Sequence, residues 1–326
     1  MVRRIAVIGQ GVIGLTSAAK LLDQGHQVVL FSKEPFEQTT SMSAGAYWWP
    51  HRTYPTERVQ QWAKCSYDEY ARLKQTPDSG VHFEEHFRFC IDPDESSYVL
   101  QSVDQWERID ASQYGFDCVE AFRVVLPVID VPRHLNYLRD QLVERNAEFV
   151  RREIGSPAEL FSEFDLVVNC TGVAARDFVG DESVFPIRGQ VVRVARPDGL
   201  RCSTRVYQKD DQFTLILPRT DDVILGGTSN ENDWGRDVRD EDSTAIIQRC
   251  VRAVPAIEDA EVLGATVGLR PGRHAVRLEM ESLENGQTVI HNYGHGGGGF
   301  TVAWGCAEDV ADLARTHFNS ITANSL

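Results

Sequence analysis

Gly9, Gly11 and Gly14 fall in the pattern GxGxxG, and Gly296, Gly297, Gly298 and Gly299 run together in "HNYGHGGGGFTVAWG". Glycine loses more conformational freedom on folding than any other residue and buries no side chain in return. Both clusters therefore imply a need for bare backbone. In GxGxxG the first glycine permits a tight turn, the second lets the main chain approach a pyrophosphate, and the third lets helix and strand pack closely. Val12 and Ile13 open the helix whose N–H groups would face the anion. A plain dinucleotide site has an acidic residue at the end of the next strand for the ribose hydroxyls; here Ser32 and Lys33 stand there, with Glu34 just beyond. His82 and His86 in "HFEEH" have the i, i+4 spacing of a metal pair, but no third ligand is evident, so no metal is expected. Neither a Ser-His-Asp nor a Cys-His signature stands out.

The elements that position these residues are legible in the hydrophobic pattern. "RIAVIGQGVIGLTSAAKLLDQGHQVVLFSK" reads as a strand over residues 5–8, a glycine turn, a helix over about residues 13–22, a turn at Gly25 and a strand over residues 28–31. That is one βαβ unit. A second runs from the helical "PRHLNYLRDQLVERNA" through "EFVRREI" to the buried-strand run "FDLVVNCTG". Residues 51–130 are polar and aromatic-rich and lack that alternation. From about residue 186, "GQVVRV", "FTLILP" and "DVILGGT" are short apolar or alternating runs that suit an antiparallel sheet, and a helical patch lies near residues 242–253. The chain closes with strand, glycine loop, helix. Two interleaved domains are expected: a nucleotide domain from residues 1–50, 131–185 and 265–326, and a substrate domain from residues 51–130 and 186–264.

Composition excludes several function classes. The 326 residues carry 33 Lys plus Arg against 48 Asp plus Glu, a net charge of -15, so phosphate backbones and anionic lipid are repelled. No nucleic-acid or membrane partner is expected, and no window approaches a membrane-spanning length of apolar residues. The seven cysteines, Cys65, Cys90, Cys118, Cys170, Cys202, Cys250 and Cys306, show no paired spacing, which speaks against a disulfide framework or zinc site. A reducing, cytoplasmic location is expected. The ending "ANSL" resembles a peroxisomal tripeptide only faintly, leaving that compartment open.

"IAVIGQGVIGLTSA", "QTTSMSAGAYWWP", "DLVVNCTG", "PIRGQVVRV", "VILGGT", "GLRPGRHAVRLE" and "HNYGHGGGGFTVAWG" resemble, in order and spacing, the D-amino-acid oxidase family of FAD enzymes. The resemblance covers essentially the whole chain. It implies an α/β protein, with a Rossmann-like βαβ domain for FAD interleaved with an α+β substrate domain on a mostly antiparallel sheet.

By the same resemblance, Thr39, Thr40, Ser41, Ala44, Gly45 and Ala46 hold the FAD diphosphate and flavin edge, while Ile154, Thr171 and Gly172 line its adenosine and ribitol part. Gly296, Gly297, Gly298, Gly299, Phe300 and Thr301 run beside the flavin, and the helix that follows points its N-terminus at the pyrimidine end, where a reduced flavin gathers negative charge. Arg270 of "GLRPGR" grips the substrate α-carboxylate with a planar fork, and the Gly297 carbonyl takes the amine. Arg273 and Arg277 read as surface salt-bridge formers. Tyr47 and Trp49 match pocket walls. One departure stands out: where the family places a tyrosine that donates to the carboxylate, this sequence has Leu215. Tyr207, earlier in the segment expected to form the lid, is the alternative source of that hydroxyl.

The implied reaction is oxidation of a D-amino acid by hydride transfer from Cα to flavin N5, with dioxygen as acceptor, giving 2-oxo acid, ammonia and hydrogen peroxide. Leu215 keeps open an oxidase of another small amine, such as glycine or sarcosine, on the same fold. A nicotinamide-dependent dehydrogenase and a flavoprotein without turnover are rivals, the first disfavoured by Ser32 and the glycine loop, the second by Arg270. The number of subunits is open, with a homodimer among the options.

Overall fold

The longest apolar runs become the most deeply buried strands. In the computed structural model, which describes residues 2–90, 97–114, 118–198, 200, 203–209, 212–284 and 286–323, Leu166–Asn169 and Thr288–Tyr293 are buried at every position, and Arg4–Ile8 at all but its first. Strands covered on both faces have no polar face to alternate with, which is why these stretches read as continuous hydrophobic runs. They form the centre of a six-stranded sheet in the order Arg277–Ser282, Thr288–Tyr293, Leu166–Asn169, Arg4–Ile8, Gln27–Ser32, Glu148–Arg151. All its pairings are parallel except the hairpin between Arg277–Ser282 and Thr288–Tyr293.

Helices Val12–Asp23, Val131–Glu144 and Gly299–Ala323 cover one face of this sheet, and their apolar stripes (Leu15 and Ala18, Leu135 and Leu138, Val310 and Ala314) join the largest core cluster. The other face is closed by a smaller cluster of Ile154, Leu160 and Phe164 against Ala6, Ile8, Val29 and Val167. The first βαβ unit expected from the sequence is present; the second segment supplies helix Val131–Glu144 and two more parallel strands to the same sheet, but only a short 3-10 turn, Pro157–Leu160, lies between those strands, so it is not a βαβ unit.

The second sheet has ten strands, and its central path runs from Asn230–Glu231 through Phe185–Ala195, Asp222–Gly226, Gln212–Pro218, Ser203–Lys209, Val81–Cys90 and Glu120–Ile129 to Ala46–Tyr47. It is antiparallel except where Ser203–Lys209 runs parallel to Val81–Cys90. Strand Val262–Gly272, which crosses the expected boundary near residue 264, pairs with Phe185–Ala195 and belongs to this sheet. Helix Asp240–Ala253 covers one face through Ile246 and Cys250. The opposite face carries Val128, Val191, Leu215, Leu217 and Ile224, and the loop at Gly45 lies against Ile224.

Residues 51–130, which the sequence left without a pattern, contain the 18-residue helix Thr56–Leu73 as well as strands. That helix lies against Gly299–Ala323, where a Cβ on Gly305 would stand 2.3 Å from the Cα of Trp62. Among the described residues no helix is long and apolar enough to cross a membrane.

Candidate active site

The GxGxxG turn has the geometry its spacing implies. Gly9 has φ +117, and a Cβ on Gly14 would fall 1.9 Å from the Gly9 carbonyl oxygen, so strand end and helix start meet with no room for a side chain. The Ser41 hydroxyl accepts the Val12 N–H at 3.0 Å, tying the Ser/Thr loop to the helix start. The next two N–H groups, of Ile13 and Gly14, have no partner among the described residues. A helix N-terminus with unpaired donors is an anion site. The same loop touches the other sheet, because Thr40 donates to the Leu269 carbonyl at 3.3 Å.

The second glycine run is threaded through its neighbours. Gly296 N–H donates to the Pro271 carbonyl at 2.8 Å, Gly297 N–H to the His51 carbonyl at 2.9 Å, and Gly298 N–H to the His295 carbonyl at 3.0 Å. A Cβ would meet the Arg52 carbonyl oxygen at 1.9 Å from Gly296, the His51 ring at 2.6 Å from Gly297 and Thr53 Oγ1 at 2.2 Å from Gly298. The sequence reading gave these glycines to contact with a flat ring. The structure supplies an internal reason: residues 51–53 fill the space where side chains would stand. Three donors are left over at the helix start, the N–H groups of Gly299, Phe300 and Thr301, with no partner among the described residues. Gly297 is exposed while Gly296 and Gly298 are buried, and its carbonyl accepts no described hydrogen bond.

Arg270 sits one residue before the Pro271 that anchors Gly296. Its guanidinium lies flat on Gly189, where a Cβ would be 2.2 Å from Nη1 and 2.3 Å from Cζ. The guanidinium's one hydrogen bond among the described residues runs from Nη1 to the Thr228 carbonyl at 3.1 Å, and no carboxylate faces it. Burial, and after it the charge of Arg52, push its pKa down to about 10, so it is still a cation at neutral pH. Arg270 is only partly exposed, and a charge held partly out of water without a counterion is costly unless a ligand completes it.

With this geometry in view, the comparisons are decisive. A family model described as FAD dependent oxidoreductase matches residues 4–313. The chain belongs to that family. It is 40% identical over 316 residues to a D-amino-acid oxidase of Rubrobacter xylanophilus, covering 96% of each chain. It is 39% identical over 319 residues to a D-amino-acid oxidase of Streptomyces coelicolor, covering 95% of this chain and 96% of that one. Among solved structures, the fold is similar to a glycine oxidase from Geobacillus kaustophilus, with a TM-score of 0.77 at 18% identity over 96% of this chain and 95% of that one.

The family's cofactor, FAD, fits the residues present. It carries a diphosphate and a ring edge of carbonyl oxygens, and two helix starts offer unpaired N–H groups within one region: Gly299 stands 3.8 Å, as its Cβ would be, from Val12 Cγ1. The Thr39 hydroxyl is buried with no protein partner, a further donor awaiting an acceptor.

Other expected site residues are distributed as follows. Ala44 packs against the main core cluster, Gly45 lies where a Cβ would be 2.8 Å from Ile224 Cγ2, and Ala46 pairs with Ile129. Ile154 is part of the smaller core cluster. Thr171 bonds Asn169 through both its N–H and its hydroxyl, and Gly172 has φ +61. Ser32 donates its hydroxyl to the Glu34 carbonyl, and Lys33 pairs with Glu153 at 2.7 Å, so both side chains are engaged within the protein. The Thr301 hydroxyl donates to the Trp49 carbonyl at 2.9 Å and receives the Trp49 N–H at 3.2 Å, binding the aromatic stretch to the glycine loop. Trp49 itself is 3% exposed, with the Arg88 guanidinium 4.2 Å over its ring. Phe300 is buried and receives a hydrogen bond from Tyr70.

Leu215 lies on the sheet face that carries Val191 and Ile224, with Tyr47 and Phe213 packed beside it. Its registered neighbour is Val206, whereas Tyr207 is registered with Thr214. Alternate residues of a strand take opposite faces, so the backbone puts Tyr207 in the row of Thr214, out of step with Leu215; its side chain lies outside the described residues. Phe213 escaped the sequence reading: its ring is 6.0 Å from that of His51 and 3.1 Å from where a Cβ of Gly227 would stand. Gly189 escaped it too, since a glycine inside a strand gives no sign of what lies on it.

Arg273 and Arg277 are ion-paired as the sequence suggested, Arg273 with Asp181 at 3.0 Å and Arg277 with Glu279 and Glu281, both at 2.7 Å. His82 and His86 lie on the strand Val81–Cys90, where four residues span about 13 Å, too far to share one ion.

Proposed function

We propose that this protein is an FAD-dependent oxidase of D-amino acids. The observation that carries the reading is Arg270: a cation with no carboxylate partner among the described residues, on the strand bonded to the glycine loop. Its fork accepts the substrate α-carboxylate through two parallel charge-assisted bonds, fixing rotation as well as position. The unpaired Gly297 carbonyl takes a hydrogen from the neutral amine. Held at both ends, the substrate presents its Cα–H in one orientation, and the side chain runs toward the face lined by Leu215, Phe213 and Tyr47.

Ile13, Gly14, Thr39, Thr40 and Ser41 hold the FAD diphosphate, and Gly299, Phe300 and Thr301 offer their N–H groups to the pyrimidine edge of the ring. When bound there, FAD would supply the two-electron acceptor for this oxidation, with dioxygen as the final acceptor and hydrogen peroxide as its product. The chain's own contribution is positioning and fixed positive potential, with no side-chain base required. The imino acid product hydrolyses in water to a 2-oxo acid and ammonia. A cytoplasmic location goes with this reading.

The test is direct. The purified protein is expected to be yellow, to lose that colour anaerobically with D- but not L-amino acids, and to form peroxide in air. A preparation that takes up no FAD, or whose colour is indifferent to D-amino acids, overturns the reading.

A further inference from the structure

The helix that follows the glycine loop is gripped from outside in its first two turns. Tyr70, on helix Thr56–Leu73, donates its hydroxyl to the Phe300 carbonyl at 2.8 Å. Ser66, one turn earlier, accepts the N–H groups of Trp304 and Gly305 at 3.1 and 3.3 Å. From the opposite side the Thr16 hydroxyl donates to the Ala303 carbonyl at 3.2 Å. Thr16 lies one turn into the helix opened by GxGxxG, so the two glycine-bearing helix starts are bolted together.

Of these contacts, the one from Tyr70 reaches a particular peptide group. The Phe300 carbonyl and the Thr301 N–H are the two ends of the same amide, and that N–H is one of the three donors with no partner among the described residues. A hydrogen bond accepted at the oxygen of an amide polarises it and strengthens its N–H as a donor, by about 10–30% per bond in condensed phases. Tyr70 is fully buried, and burial raises its phenol pKa far above the usual value, so it stays a donor. The His134 ring, 5.8 Å from that of Tyr70 and 6.5 Å from that of Phe300, wedges the pair in place.

We propose that Tyr70, which touches neither substrate nor cofactor, is a positioning residue that tunes the flavin through the Phe300–Thr301 amide. The inference rests on the reading that the pyrimidine edge of the ring lies on the N–H groups of Gly299, Phe300 and Thr301. Negative charge gathered there is then stabilised by a chain of two hydrogen bonds that starts at the phenol.

Sulfite reports on this charge, because its addition to an oxidised flavin leaves the ring anionic. In the FAD-loaded Tyr70→Phe protein the sulfite dissociation constant is expected to rise about 1.3- to 4-fold, the worth of that 10–30% of one hydrogen bond to a charged group. The kcat for D-alanine falls by a similar factor with KM unchanged. Replacing Tyr70 by 3,5-difluorotyrosine, a stronger donor of nearly the same shape, moves the sulfite constant the opposite way and serves where the Phe variant folds poorly. Unchanged sulfite affinity in a flavin-bearing, active Tyr70→Phe protein overturns this inference and leaves the oxidase reading intact, as do shifts of the same sign in the two variants. A wild-type protein without flavin overturns both.

Discussion

The guanidinium of Arg270 rests on the bare Cα of Gly189, one strand away, with no space between them for a methyl group. The pair works as a unit: the strand Phe185–Ala195 provides a floor, and the floor sets the height at which the cation meets its ligand. Gly189→Ala should therefore leave the sheet standing, since only the end of a flexible side chain has to move, but lift the guanidinium by an ångström or more. Misplacement of that size costs about 100-fold in rate. Steady-state kinetics with a D-amino acid, at full flavin occupancy, check this, and wild-type kcat/KM in the alanine variant would contradict it.

Arg270→Leu removes the cation itself. Truncating one partner of a buried charge pair costs about 2–5 kcal/mol, so kcat/KM is expected to fall by about 30-fold or more, chiefly through KM, while the absorbance of bound flavin persists. Arg270→Lys should recover only part of the loss, because an ammonium has no fork. Unaltered KM in the leucine variant would show that the carboxylate is held elsewhere.

Ser41 connects the Ser/Thr loop to the Val12 N–H. Its replacement by alanine removes a helix-capping acceptor worth about 1 kcal/mol, and the loop then loses its register against the diphosphate donors. FAD binding to the apoprotein, followed by quenching of flavin fluorescence, is expected to weaken about 5-fold, with kcat of the saturated enzyme little changed.

Asp181 offers a test of stability rather than catalysis. Burial alone would raise its carboxyl, but hydrogen bonds from Ser183, Tyr293 and Arg273 outweigh that and hold it down at about 2. A carboxyl whose folded pKa is depressed adds stability that is fully present above its usual value near 3.8 and is lost as pH falls toward 2. Asp181→Asn should cost about 2 kcal/mol at pH 7, and the gap to wild type should narrow below pH 4. Urea melts at the two pH values decide it; a gap independent of pH would mean the charge is not what matters.

Much of the site was written in residue types that only one conformation satisfies. GxGxxG after an apolar strand specified a helix start with free donors, and the structure has one, down to the contact between Gly14 and the Gly9 carbonyl. The strand, glycine loop and helix at the end of the chain were equally plain. Arg273 and Arg277 read as salt-bridge formers because that is the ordinary role of clustered arginines, and both are ion-paired. Helix Thr56–Leu73 was legible but not recognised: Val59, Trp62, Ala63, Ser66, Tyr67, Tyr70 and Leu73 recur at three- and four-residue spacing, a stripe half made of aromatic and small residues instead of the aliphatic ones that marked the other helices.

The local sequence determined the turns, the buried strands and the positions of the bare backbone, since these depend on sterics and on the solvation of neighbouring residues. Tertiary structure alone decided which segments meet: that residues 51–53 fill the hollows of the second glycine run, that Val206 instead of Tyr207 is registered with Leu215, and that Arg270 has a glycine beneath it and no carboxylate partner among the described residues. Those are relationships between residues from nine to more than two hundred positions apart. Strand register and helix packing set them, and neither is encoded in any short stretch of chain.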